Sequence, residues 1–357
     1  MGVRMKRMMT LLLTAAVVST VFGAAKQLAQ EAERSGGAAR PTRPVHTYSI
    51  VARDPRTGEM GVAVQSHWFS VGSIVSWAEA GVGAVATQSF VDPSYGRNGL
   101  ELMRGGSAAG DALKSLLARD EGRDVRQVAM VDARGRVAAH TGAKCIEAAG
   151  HRTGESYSVQ ANMMSNARVW PAMSRAFEAA QGDLAERMLA ALDAAERAGG
   201  DIRGRQSASL IVVKAESSGK PWVDRIFDLR VDDHPQPLSE LRRLVRLQRA
   251  YNHMNAGDLA VEHKDNEAAL REYSAAQKLV PDNLEMAYWH AVALVNMNRT
   301  DEALPIFRRV FSADPNWRTL TTRLPKAGIL PDDPRLIRRI TSAGSATGRG
   351  RRRAREE

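Results

Sequence analysis

The stretch from Thr47 to Ser66 reads TYSIVARDPRTGEMGVAVQS, and no other segment restricts the fold as much. Tyr48, Ile50 and Ala52 fall on one face of an extended run and Thr47, Ser49 and Val51 on the other, because side chains alternate along a strand. Asp54-Pro55-Arg56-Thr57-Gly58 is turn chemistry, since Pro presets φ and Gly tolerates a positive φ. EMGVAVQS then returns as a second strand, which makes the pair a hairpin.

Further strands follow. GVGAVATQS (Gly81 to Ser89) reads as a buried strand of small residues. RQVAMVDARGRVAAHTG is a second hairpin turned by Asp132 to Gly135, and SYSVQANMM, QSASLIVVKA and WVDRIFDLRVDD are single strands. Helices interrupt them. SAAGDALKSLLARD carries Ala112, Leu113, Leu116 and Leu117 on one side, with Ser107 as its expected N-cap. A helix runs from about Trp170 to Ala180. GDLAERMLAALDAAERAGG is another, capped by Asp183 and ended by Gly199-Gly200. Strand runs broken by paired helices predict an α+β domain with antiparallel sheet rather than alternating βαβ units. No Gly-rich phosphate loop sits at a strand–helix junction.

Beyond DHPQPLSELRRLVRLQRAY the pattern becomes helical and repeats. Ala269, Tyr273, Ala276 and Pro281 are answered by Ala303, Phe307, Val310 and Pro315, each pair offset by 34 residues. This spacing and these residue types resemble tetratricopeptide repeats, with Gly257 at the close-packing position of the first copy and Ala291 in the second. Two copies are too few to be stable alone, so the helix from Leu238 to Asn255, or the first domain, is expected to cap them.

The chain has 357 residues and a net charge of +10, concentrated at its ends. Arg4, Lys6 and Arg7 precede an apolar run from Thr10 to Gly23, and Gly23-Ala24-Ala25 offers a small-x-small cleavage pattern. The reading is a signal peptide over 1–25, export to the periplasm or exterior, and a mature chain without a transmembrane segment; an uncleaved anchor is the alternative. Residues 26–45 read as a disordered linker. Residues 321–357 read as a basic, largely disordered tail, with five Arg and two Glu from Arg349 to Glu357. Without these ends the charge is about +4, and no base-reading motif accompanies it, so specific nucleic-acid binding is not expected. Cys145, the single Cys, has no disulfide partner and reads as a buried thiol. The His residues show no metal-ligand spacing, and no metal or cofactor is expected.

The segments TYSIVARDPRTGEMGVAVQS, AGVGAVATQ, YGRNGLELM, RQVAMVDARGRVAAHTGAKCI, AGHRTGESYSVQANMM and GGDIRGRQSASLIVV resemble, in order, the domain-of-unknown-function family 1028. The resemblance implies an N-terminal nucleophile (Ntn) hydrolase-like fold over 46–237, a four-layer αββα sandwich, followed by the tetratricopeptide-like repeats over 238–320. It also implies that Thr47 stands where that fold places its nucleophile. A Thr hydroxyl needs a base, and in an Ntn site the residue's own free α-amine serves, with a reference pKa of about 7.7–8.0. An amide nitrogen cannot, because its lone pair is delocalised. Thr47 therefore requires a cut between His46 and Thr47.

Ser49, Ser66 and His67 are the expected neighbours of Thr47, and Asn162 an oxyanion donor. Asp201 and Arg203 are expected either at a ligand or in a surface turn. The span Val71 to Gln88 holds no Lys to match the deep-pocket Lys of proteasome-type sites. Two functions remain open: an exported amide hydrolase that acts through Thr47 once processed, or a non-catalytic cell-envelope protein that recruits a protein or peptide through its repeats.

Overall fold

The structure is a computed structural model of the chain and describes residue 45 and residues 47–344. The expected signal peptide, all of the expected linker except Val45, and the arginine-rich end lie outside the described residues.

The strands are β1 (Thr47–Arg53), β2 (Met60–Ser66), β3 (Ser76–Glu79), β4 (Gly83–Ser89), β5 (Arg126–Asp132), β6 (Val137–Thr141), β7 (Gly150–Gly154), β8 (Tyr157–Ala161), β9 (Ser207–Val213) and β10 (Arg225–Val231). The opening hairpin forms as its sequence requires. Thr47 sits opposite Ser66, Gly58 takes a φ of 76°, and the Gly58 amide donates to the Asp54 carbonyl at 2.8 Å. The Asp54 carboxylate also accepts from the Arg56 amide at 2.8 Å, which fixes the turn.

Two antiparallel sheets result, one of six strands in the order β10-β9-β2-β1-β8-β7 and one of four in the order β3-β4-β5-β6. Val51, Met60, Val62 and Val64 of the larger sheet meet Ala84, Ala86, Ala129 and Val131 of the smaller across a shared core. The opposite face of β1, through Tyr48, Ile50 and Ala52, packs under helices.

The helices are α1 (Gly72–Val75), α2 (Ser94–Arg104), α3 (Ala109–Arg119), α4 (Val169–Ala179), α5 (Leu184–Arg197), α6 (Pro237–Glu262), α7 (Asn266–Leu279), α8 (Leu284–Asn296), α9 (Thr300–Ala313), α10 (Asn316–Thr321) and α11 (Pro334–Thr341). Met173, Phe177, Met188 and Leu192 of α4 and α5 cover the larger sheet, and Leu100, Met103, Ala112 and Leu113 of α2 and α3 cover the smaller. Asp183 caps α5 by accepting from the Glu186 amide. Ser107 does not cap α3. That helix begins later, at Ala109, and the Asp132 carboxylate at the end of β5 accepts from the Ala109 amide at 3.1 Å.

Helix α6 runs on past Asn255 without a break and joins the two regions. Arg249 reaches Glu186 of α5 and its cap Asp183 at 2.6 Å each, and Arg242 pairs with the same helix at Glu186 and Asp193. Of the repeat-signature positions, Ala269, Tyr273, Ala276, Ala303, Phe307 and Val310 are buried, while Pro281 and Pro315 are exposed. A Cβ on Gly257 would come within 2.7 Å of the Tyr273 ring, so only Gly allows this approach. The repeats do not stop at residue 320, as the sequence predicts. Leu324, Leu330 and Ile340 enter the same core, and α10 and α11 cap the stack. A tail reading based on charge passes over these few apolar residues, which are widely spaced but all buried.

Phe307 fills the centre of this last core, stacked on Phe311 and edge-on to Tyr288. Phe307→Ala is expected to cost about 3–5 kcal/mol, because the packed surroundings cannot close the cavity. Urea denaturation followed by circular dichroism checks this.

Candidate functional site

The head of β1 places the candidate residues at one end of the space between the sheets. Thr47, Ser49, Ser66 and Asn162 are all fully buried. The Thr47 hydroxyl donates to the Val45 carbonyl at 3.1 Å and lies 3.3 Å from the Ser66 hydroxyl. The Asn162 amide donates to the Thr47 carbonyl at 3.1 Å. Thr47, Ser66 and Asn162 therefore come together.

Ser49 belongs to the next layer inward. Its hydroxyl donates to Gln88 Oε1 at 2.6 Å and accepts from Gln160 Nε2 at 2.6 Å. His67 turns elsewhere, with its amide on the Asp201 carboxylate at 3.1 Å and Nδ1 at 3.3 Å from the Arg205 carbonyl. Asp201 and Arg203 form a turn and an ion pair at 2.7 Å, and the same carboxylate tethers the start of the loop after β2.

The amides that organise the site carry no local signal in the sequence. Gln127, buried on β5, accepts at Oε1 from Gln88 Nε2 (2.7 Å) and Asn162 Nδ2 (2.9 Å). Its Nε2 faces Thr141 Oγ1 at 2.9 Å and the Ala161 carbonyl at 2.9 Å. Gln88 Nε2 also reaches the Thr47 carbonyl at 3.2 Å. Gln88 stands between Thr87 and Ser89, and Gln127 beside Arg126, so neither is singled out along its strand, and only sheet pairing reveals the cluster.

The sequence model described as "Family of unknown function (DUF1028)" matches residues 47–241. The chain belongs to that family. A tetratricopeptide-repeat model matches residues 260–324. Among solved structures, the chain is similar to the crystal structure of protein SPO2555 from Silicibacter pomeroyi, itself titled with DUF1028. Identity is 33% and the TM-score 0.50, over 56% of this chain and 88% of that one. A second structure, Anbu (ancestral beta-subunit) from Yersinia bercovieri, matches at 12% identity and a TM-score of 0.28 over 55% of this chain and 92% of that one. No curated protein matches.

In this DUF1028 domain one residue ahead of Thr47, Val45, is built into the fold. Val45 is fully buried in the inter-sheet core, and it exchanges two backbone hydrogen bonds with Ser89, at 2.6 and 2.9 Å. Among the described residues, the Thr47 hydroxyl is bonded to the Val45 carbonyl and the Ser66 hydroxyl and to no His, Lys, Asp or Glu side chain. Cys145 offers no substitute nucleophile. Burial raises its pKa, so the protonated thiol dominates at neutral pH, and it donates to the Arg126 carbonyl at 3.3 Å. Burial, with the nearby His140 charge, lowers the pKa of His151, which stays neutral there and meets Thr141 Oγ1 at 2.8 Å. Among the described residues no group of three potential metal ligands occurs.

Gln127→Ala is expected to destabilise the domain by about 2–4 kcal/mol, because buried donors on Gln88 and Asn162 lose their acceptor. Thermal denaturation reads this, and Gln127→Glu, which keeps the acceptor but buries a charge, is expected to restore stability only at acid pH.

Proposed function

We propose that this protein works through its repeats as a partner-recruiting protein, with its DUF1028 domain chemically silent at Thr47 while the His46–Thr47 bond is intact. One observation carries the reading. A groove of about 450 Å³ runs along α6 and α8, with Met254, Met286 and Trp289 as an apolar floor and Asp258 and Glu285 as acidic edges. Tyr251 is held by Glu285, and Tyr273 donates to Asp258 at 2.7 Å, so the acidic edges are fixed before any partner arrives. Such a surface suits an apolar segment that carries basic side chains. The leading Arg4, Lys6 and Arg7 with the apolar run behind them support export. No helix among the described residues is long and apolar enough to cross a membrane. An exported partner, such as a cell-envelope component, fits that placement.

A second reading has a specific observation in its favour. Thr47, Ser66 and Asn162 gather at the head of a strand in a sheet that packs on a second sheet, with helices over both outer faces. This arrangement supports an Ntn-hydrolase-like domain that would become an amide hydrolase if a cut freed the Thr47 amine to take the hydroxyl proton.

Asn255 lines the groove and is exposed. Affinity purification with the intact chain is expected to recover a partner that Asn255→Arg loses while its melting temperature stays unchanged. Equal recovery by both proteins would contradict the groove reading.

A further inference from the structure

A second cavity, of about 430 Å³, opens at the edge of the sandwich far in sequence from Thr47, where β3 and α2 face β9 and β10. Four arginines from two elements line it: Arg97 and Arg104 from α2, Arg225 and Arg230 from β10. Two carboxylates answer them. Glu79 takes Arg104, and Asp228 takes Arg225 and, at 3.8 Å, Arg230. Arg97 is exposed and has no ion pair among the described residues. Clustered guanidinium groups repel one another unless an anion joins them.

The walls are fixed. Trp77 lies flat against α2, where a Cβ on Gly96 would fall 2.2 Å from the indole, so Gly96 is what lets the ring seat. The indole Nε1 donates to the Ile74 carbonyl at 3.1 Å, and Ser76 and Ser209 share a buried hydroxyl contact of 2.8 Å beside the cavity wall. Beyond Arg104 and Arg225 an adjoining cavity contains Asp224, whose carboxylate accepts from the Ser218 amide at 3.0 Å. That negative charge repels an anion from the far side and favours the half of the cleft lined by Arg97 and Arg230.

We propose that this arginine-lined cleft is a binding site for a small polyvalent oxyanion, a phosphate ester or a polycarboxylate. Planar guanidinium groups match both chemistries through paired N–H donors. The site is independent of Thr47 and of the repeat groove.

Calorimetric titration of the full chain with pyrophosphate and, separately, with citrate tests this in low-salt buffer. At least one anion is expected to bind at one site per chain, with quenching of Trp77 fluorescence that Trp77→Phe removes. Pyrophosphate alone would identify the phosphate class, and citrate alone the polycarboxylate class. The double variant Arg97→Ala/Arg230→Ala is expected to weaken binding by at least about tenfold, the size of one or two lost charge-assisted hydrogen bonds. Arg271→Ala, an exposed charge on the repeats, is expected to leave it unchanged. Absence of one-site binding by either anion would overturn the proposal, as would equal weakening by the Arg271 control.

Discussion

The contact on which the first domain turns is the buried amide cluster centred on Gln127. Two sheets that meet through Val and Ala side chains could slide past each other, because apolar contact is not directional. Gln127 removes that freedom at the Thr47 end. It binds Gln88 on its own sheet and Asn162, just past β8, on the other, while its Nε2 reaches a β8 carbonyl. Gln88 then reaches back to the Thr47 carbonyl and receives the Ser49 hydroxyl. A buried polar network of this kind is stabilising only when its members are satisfied, and this one aligns the head of β1 to within a hydrogen bond.

That alignment explains why the candidate site is both well formed and closed. The cluster holds the Thr47 carbonyl and the Ser49 hydroxyl, while Val45 is drawn into the core and bonded to Ser89. A hydroxyl held against the carbonyl two residues before it is satisfied and hidden. An acidic apolar groove on the repeats and an arginine-lined cleft at the edge of the sandwich lie apart from it. Arg242 and Arg249 tie the two regions into one molecule by fastening α6 to α5.

Much of this was legible in the sequence. The Asp54 to Gly58 turn fixed the register that sets Ser66 against Thr47. The 34-residue offset placed Tyr273 and Phe307 in equivalent buried positions. The short strands β3 and β7 and helix α2 were not separately readable, because their apolar patterns are brief or interrupted by Gly. The Asp132 cap of α3 and the Gln88–Gln127 contact join residues far apart in the chain, and no local rule signals either. His67 follows Ser66 directly, yet the chain turns at the end of β2 and carries its ring toward Arg205.

The state of the peptide bond ahead of Thr47 decides between a closed domain and an active one. Mass spectrometry of the protein purified from its native host reads it directly. The account predicts a mature chain whose first residue lies upstream of Val45, with His46 still joined to Thr47. A chain beginning at Thr47 would contradict it.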